Sequence, residues 1–96
     1  MGNVILINPF EVPPAQDDEF LGGWQRAANY LRRQPGFITA RLHRALSPEA
    51  KYRFVNVAEW ESPPHFQAAV GNEEFRQMAA GRAPNYPALF EVIRSL

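Results

Sequence analysis

Tyr52-Arg53-Phe54-Val55-Asn56-Val57-Ala58-Glu59-Trp60-Glu61-Ser62 is the stretch whose reading decides the fold. Taken with the two-residue period of a strand, it sorts into two sides. Tyr52, Phe54, Asn56, Ala58 and Trp60 point one way, and Arg53, Val55, Val57, Glu59 and Glu61 point the other. The first side carries a carboxamide on an aromatic wall, two strand repeats from an indole. Such a wall serves either as a binding surface for a flat organic molecule, oriented by one hydrogen-bonding group, or as an ordinary core face with one satisfied polar residue.

Working outward, the Ser47-Pro48-Glu49-Ala50 turn joins this strand to an earlier one running from Phe37 to about Ala45. In that earlier strand Ile38, Ala40 and Leu42 form one face and Thr39, Arg41 and His43 the other, so the pair reads as an antiparallel hairpin with a longer loop. Upstream, Val4-Ile5-Leu6-Ile7 is a β-branched, apolar strand that Pro9, Pro13 and Pro14 are expected to end. A helix begins near Ala15, with Asp17, Asp18 and Glu19 where the helix dipole favours anions. Phe20, Trp24, Ala27, Ala28 and Leu31 recur at helical spacing on its buried face, and Pro35-Gly36 stops it. Downstream, Ser62-Pro63-Pro64 supplies an N-cap and early prolines for a second helix bearing Phe66, Ala69 and Val70. Gly71-Asn72 breaks it, and a short helix with Phe75, Met78 and Ala79 follows. Ala80 to Pro87 is a loop, and Ala88 to Arg94 a final strand.

The order strand, helix, strand, strand, helix, strand predicts an α+β, ferredoxin-like βαββαβ fold with a four-stranded antiparallel sheet and helices on one face. One feature of the pattern is at odds with a lone protomer. The first strand is apolar on both sides, and Val55 and Val57 lie opposite the aromatics of the third. A sheet face left in water alternates apolar with polar residues. The second face therefore needs a cover, and a second copy of the chain supplies one, so a homodimer is expected.

Ninety-six residues make one domain, 1–96, with no room for a second. Ten basic and ten acidic residues balance, so nothing favours nucleic acid or an anionic membrane as partner. No stretch approaches the roughly 20 apolar residues of a membrane span. The start has no basic region or cleavage pattern, and Leu6 stands where a myristoylation signal has Ser or Thr, so a cytoplasmic protein is expected. Without cysteine there is no disulfide, thiolate metal site or thiol nucleophile.

Searches for chemical motifs return little. There is no glycine-rich phosphate loop, dinucleotide fingerprint or His-Glu-x-x-His pair, so no cofactor and no metal are expected. His43 and His65 fall on different elements. Ser47 and Ser62 each precede proline and read as turn or capping residues. Asn8 ends the first strand, where it caps a turn or faces the pocket. The segment Gly81-Arg82-Ala83-Pro84-Asn85-Tyr86 is either a lid over a pocket or a solvated connector.

Gln34-Pro35-Gly36-Phe37 leading into a strand, Leu42-His43-Arg44 within it, and Arg53 to Ser62 followed by a helix with Phe66 resemble the antibiotic biosynthesis monooxygenase family. The resemblance runs from Val4 to the closing strand. It implies a dimeric α+β barrel and, in the characterised members, cofactor-free oxygenation of aromatic polyketides, quinol or quinone chemistry, or haem degradation. Polyketide-oxidising members bind substrate with an Asn and a Trp on this strand, which Asn56 and Trp60 match. Where those members also use a Tyr from the following helix region, this chain has Phe66. Haem-degrading members use an Asn on the first strand, a Trp on the third and a His on the second helix. Asn8 and Trp60 correspond to the first two, while His65 stands at the helix start.

The chemistry that fits without a cofactor has the substrate supply the electrons, its deprotonated phenol or hydroquinone passing one to dioxygen. The protein then binds the flat ring, favours the anion and excludes water. Trp60, Phe54 and Trp24 are expected as apolar walls, Asn56 as the donor to the developing negative charge, and Arg82 as a positive charge if its loop folds inward. Two rivals stay open: a sensor or carrier that binds a small aromatic or lipid-like molecule without turnover, and a dimerisation module whose pocket is filled by Phe54, Trp24 and Phe66.

Overall fold

The computed structural model describes residues 2–96. Alternation decides the sheet. In β1 (Val4–Phe10), Val4, Leu6, Asn8 and Phe10 are buried and the residues between them half-buried. β2 (Phe37–Arg44) and β3 (Phe54–Trp60) pair antiparallel, β3 pairs β1, and β1 pairs β4 (Ala88–Phe90), giving the order β2-β3-β1-β4. The helices α1 (Asp17–Leu31), α2 (Pro63–Val70) and α3 (Glu73–Ala79) complete an α+β, ferredoxin-like fold. No helix among the described residues is long and apolar enough to cross a membrane.

Local chemistry explains the joints. The Asn72 side chain caps α3 by accepting from the Phe75 N–H at 2.9 Å and donates to the Tyr30 hydroxyl at 2.7 Å, tying α3 to α1. Ser62 caps α2 by accepting from the His65 N–H. Gly36 has φ +88°, and a Cβ there would lie 2.3 Å from the His65 ring, so both backbone and space demand glycine between α1 and β2. Arg53 grips Asp17 through two hydrogen bonds of 2.8 and 2.7 Å, fastening the start of α1 to the approach of β3. That contact holds the Asp17 carboxyl below the usual carboxylate range.

Four expectations about the strands change. Pro9 does not end β1. Its carbonyl accepts from the Tyr86 N–H at 3.1 Å, so its missing donor faces the 84–86 segment and the ladder to β3 loses nothing. Ile38 does not share a face with Ala40 and Leu42. A register shift between Phe37 and Thr39 turns Phe37 inward against Trp60 and leaves Ile38 exposed. Tyr52 precedes β3 and packs edge-on against the exposed Tyr86 instead of joining the aromatic wall. The last strand is three residues long because Phe90 already pairs with Ile5, where β1 is nearly spent; residues 91–96 have no ladder to join.

The sheet face away from the helices gathers Ile5, Ile7 and Pro9 of β1, Val55 and Val57 of β3, and Ala88 and Phe90 of β4. Thr39, Arg41, His43 and Glu59, with Asn3 bonded to Glu59, make its margin polar. Among the described residues no helix covers it.

Candidate functional site

Register, more than any single residue, makes a cavity on the helix side. Across the sheet, Val4 lies opposite Trp60 and Phe37 opposite Trp60 at one end, and Phe10 opposite Phe54 at the other. Between these aromatic ends run two rows of smaller side chains, Leu6–Ala58–Ala40 and Asn8–Asn56–Leu42. α1 presents Ala27 and Ala28 above them. Alanines facing alanines leave space that larger side chains would fill. The result is a cavity of about 330 Å³, at the lower end of the usual range for small-molecule sites.

Trp24 and Leu31 of α1, Phe66 and Val70 of α2, and Phe75 of α3 form its roof and sides. Trp60 stands edge-on to both Phe37 (5.4 Å) and Phe66 (5.7 Å) at the far end. The polar lining is sparse: Asn8, Asn56, Asn85, the Trp60 indole and Arg82. Among the described residues no Asp, Glu, His, Tyr or Met lines it.

Two of these groups stand out. The Asn56 Oδ1 and Trp60 Nε1 atoms are buried with no hydrogen-bond partner among the described residues. Leaving such a group unmade costs about 1–3 kcal/mol, so a fold seldom keeps two in one cavity without use for them. The two residues are four positions apart on one strand face, about 13 Å along it.

Arg82 supplies the only charge in the lining among the described residues. Its guanidinium lies over the Phe10 ring at 5.1 Å and near that of Phe75 at 5.9 Å, and it makes no ion pair among the described residues. Burial pushes its pKa down, yet a guanidinium stays protonated in a protein. It also borders a second cavity of about 170 Å³ that includes Gln16, Glu19 and Arg26, so it stands in the wall between the two.

The structure thus gathers Asn8, Asn56, Trp60, Trp24, Phe66 and Arg82 around one space, and it leaves Phe54 out. Phe54 is buried between Phe10 and Phe20, its ring stacked on that of Phe20 at 4.6 Å. It is core, one rung beyond the cavity. Phe37, Phe75 and Asn85 line the cavity without having been picked out from sequence. Phe37 reaches it only through the β2 irregularity; Asn85 does so through the 80–87 segment, which folds inward.

The sequence profile of the family described as antibiotic biosynthesis monooxygenase matches residues 3–81. The chain belongs to that family. Among solved structures, this family member is similar to a provisionally assigned monooxygenase from Shewanella loihica PV-4, at 33% identity over 98% of this chain and 97% of that one, with a TM-score of 0.88. It is also similar to an asparagine-to-alanine mutant of SnoaB, a cofactor-independent oxygenase from Streptomyces nogalater, at 26% identity over 100% and 98% of the two chains, with a TM-score of 0.84. The R26S mutant of MhuD, solved with two manganese protoporphyrin IX per active site, is 28% identical over 97% of each chain, with a TM-score of 0.74. No match is found among curated proteins. Family and neighbours together support a monooxygenase-type function for this antibiotic biosynthesis monooxygenase relative.

A haem-degrading site needs an axial ligand, and the donor set here does not fit one. The His65 Nδ1 hydrogen-bonds the Ser62 hydroxyl at 2.7 Å and its ring lies against Gly36, outside the cavity lining. Of the other two residues of that comparison, Trp60 lines the cavity, and Asn8 is occupied within the protein: its Nδ2 donates to Asn85 and its Oδ1 accepts from the Tyr86 N–H.

Proposed function

We propose that this protein is a cofactor-independent monooxygenase acting on a fused-ring phenol or hydroquinone held between Trp24, Phe66 and the Asn56 face of the sheet. The observation that carries the reading is the pair of orphaned polar atoms, Asn56 Oδ1 and Trp60 Nε1, in an otherwise apolar cavity. A ligand with an oxygen at one end and a hydroxyl at the other answers both: the indole N–H donates to the oxygen and Asn56 Oδ1 accepts from the hydroxyl, while the Nδ2 of the same carboxamide is a separate donor for an oxyanion.

The absence of any carboxylate, imidazole or phenol in the lining shapes the chemistry. No side chain in the cavity removes a proton, so the substrate enters or becomes ionised by its own acidity. Arg82 and the Asn56 amide then stabilise the anion where water is excluded. The bound anion passes an electron to dioxygen, and the radical pair recombines at carbon. Loss of water from the resulting hydroperoxide leaves a new carbonyl. One oxygen atom goes into the product and one into water, all four electrons coming from the substrate.

We infer also that two copies pair through the open sheet face, since an apolar surface of this extent seldom stays wet. Non-catalytic carriage of the same class of ligand is the reading to beat, and oxygen uptake separates the two. Purified metal-free protein should consume oxygen with anthrones or naphthohydroquinones above the buffer rate. Its pH profile should rise with the substrate's own ionisation. Substitution of Arg82 by Gln should move that limb to higher pH, since removing a cation raises the acid's pKa. Binding without oxygen uptake across the panel makes the protein a carrier; neither binding nor uptake abandons the pocket reading.

A further inference from the structure

Two asparagines sit side by side on the cavity floor, Asn8 of β1 and Asn56 of β3, paired in register and facing the same way. Their fates differ. Asn56 keeps a buried oxygen unpartnered, whereas Asn8 spends its amide on the 80–87 segment. We propose that Asn8 is a positioning residue that latches this segment onto β1 and so holds Arg82 against the cavity. The proposal rests on the reading of the cavity as a site for an aromatic anion.

The ladder between β1 and β4 ends at Ile7 and Ala88, and the next backbone bridge along β1 joins Phe10 to Asn85. Asn8 lies in that gap, 5% exposed, where its side chain adds to one backbone bond, that of the Tyr86 N–H to the Pro9 carbonyl at 3.1 Å, and shares its donor. Its Nδ2 donates to Asn85 Oδ1 at 3.3 Å, and its Oδ1 accepts from the Tyr86 N–H at 3.0 Å. Asn85 in turn donates to the Ala83 carbonyl at 2.9 Å, stiffening the segment one residue from Arg82. Farther out, the Glu11 N–H donates to the Pro84 carbonyl at 2.9 Å and the Tyr86 hydroxyl donates to the Glu11 carboxylate.

At its other end the segment starts from Gly81, which has φ +77° and nothing within 4 Å of where a Cβ would be. Arg82 itself has no ion pair among the described residues to fix it, only the faces of Phe10 and Phe75. Its backbone is held from the α3 side by the Arg82 N–H, which donates to the Ala79 carbonyl at 3.2 Å, and from the β1 side by the latch, so its place over the cavity depends on both.

The test uses Asn8→Ala, Asn85→Ala, the double variant and Arg82→Gln in the full chain. Hydrogen exchange reads the segment directly. Quenching of Trp24 and Trp60, the protein's two tryptophans and both in the cavity wall, reads binding of anthraquinone-2-sulfonate and of neutral 2-(hydroxymethyl)anthraquinone. Asn8→Ala should speed exchange in 80–87 about tenfold while β1 and β3 keep their protection. It should also weaken the sulfonate about tenfold, as Arg82→Gln does, and the neutral probe clearly less. Asn85→Ala should act alike, and the double variant should add little beyond either single one.

Exchange in 80–87 unchanged in both single variants overturns the latch. So does a general loss of protection with both probes weakened equally, which marks Asn8 as mere core. Should Asn8→Ala fail to fold, Asn85→Ala, altered at the segment end of the same bond, decides between these outcomes. Faster exchange confined to 80–87, with a wild type that binds neither probe, upholds the latch and refutes the anion-site reading instead.

Discussion

Replacing Asn56 with leucine should make the protein more stable and less able to bind its ligand. Asn56 Oδ1 is buried without a partner, and an unmade acceptor of this kind costs about 1–3 kcal/mol. Leucine has nearly the shape of asparagine and brings no polar atom. Of its neighbours on the floor, Leu42 and Ala58 are apolar already, and Asn8 is engaged by Asn85 and Tyr86. A net gain of about 1 kcal/mol raises the melting temperature of a domain this size by roughly 4–8 °C. If the amide meets charge developing on the substrate, the same change lowers turnover about 10²- to 10³-fold. Thermal unfolding followed by circular dichroism at one fixed protein concentration gives the first quantity, and oxygen uptake or tryptophan quenching the second. Fixing the concentration matters because dimer formation would couple to unfolding. A melting temperature several degrees lower, with ligand binding unchanged, refutes the reasoning: the amide would then be a satisfied core group. Trp60 does not allow so clean a test, because its ring also packs against Phe37 and Phe66 and truncation opens a void.

Val57→Asp, on the open sheet face, should shift sedimentation toward monomer with the protomer's circular dichroism unchanged; a stable wild-type monomer at micromolar concentration would remove the basis for the dimer. Asp17→Asn should lower thermal stability at neutral pH by breaking the paired bonds to Arg53. Because that partner lowers the folded-state pKa of Asp17, its stabilisation is present above the unfolded value of about 3.9 and fades as pH falls through the lower folded value, so the two melting curves should converge at acid pH. Gly36→Ala should destabilise by about 1–3 kcal/mol, from strain at φ +88° and the clash with His65; a neutral effect in urea titration would mean the turn can be rebuilt.

How legible the site was in the sequence follows from which of its causes are local. The alternation in β3 is local, so the inward set Asn56, Ala58 and Trp60 and the outward set Val55 and Val57 could be read from the chain alone. The helical spacing of Trp24, Ala27, Ala28 and Leu31 is local too, and it put Trp24 on the correct side of α1. The cavity is not a local property. It exists because Ala40, Ala58, Ala27 and Ala28 converge from three elements, and that depends on strand register, which no short window of sequence encodes. Phe54 illustrates the limit. It has the same parity as Asn56 and Trp60, but its rung pairs with Phe10 beneath Phe20, so it closes the cavity's end without lining it. Phe37 errs the other way, since one irregular residue pair exchanged its face with that of Ile38.

Asn8 shows why residue type alone did not assign the polar groups. Asn8 and Asn56 have the same side chain, opposite one another on the same floor, and the sequence offers no difference between them. The difference is what lies over each. Asn8 sits under a segment that arrives 77 residues later and takes up its donor, while Asn56 sits under the open cavity. A floor with both amides free would leave the 80–87 segment held to β1 by backbone bonds at Pro9 and Glu11 and the Tyr86–Glu11 contact, and a floor with both engaged would present nothing to a ligand. The division of labour between two identical side chains gives the cavity both a fixed wall and an unfilled hydrogen-bonding position. The second of these is where a substrate's oxygen has something to gain.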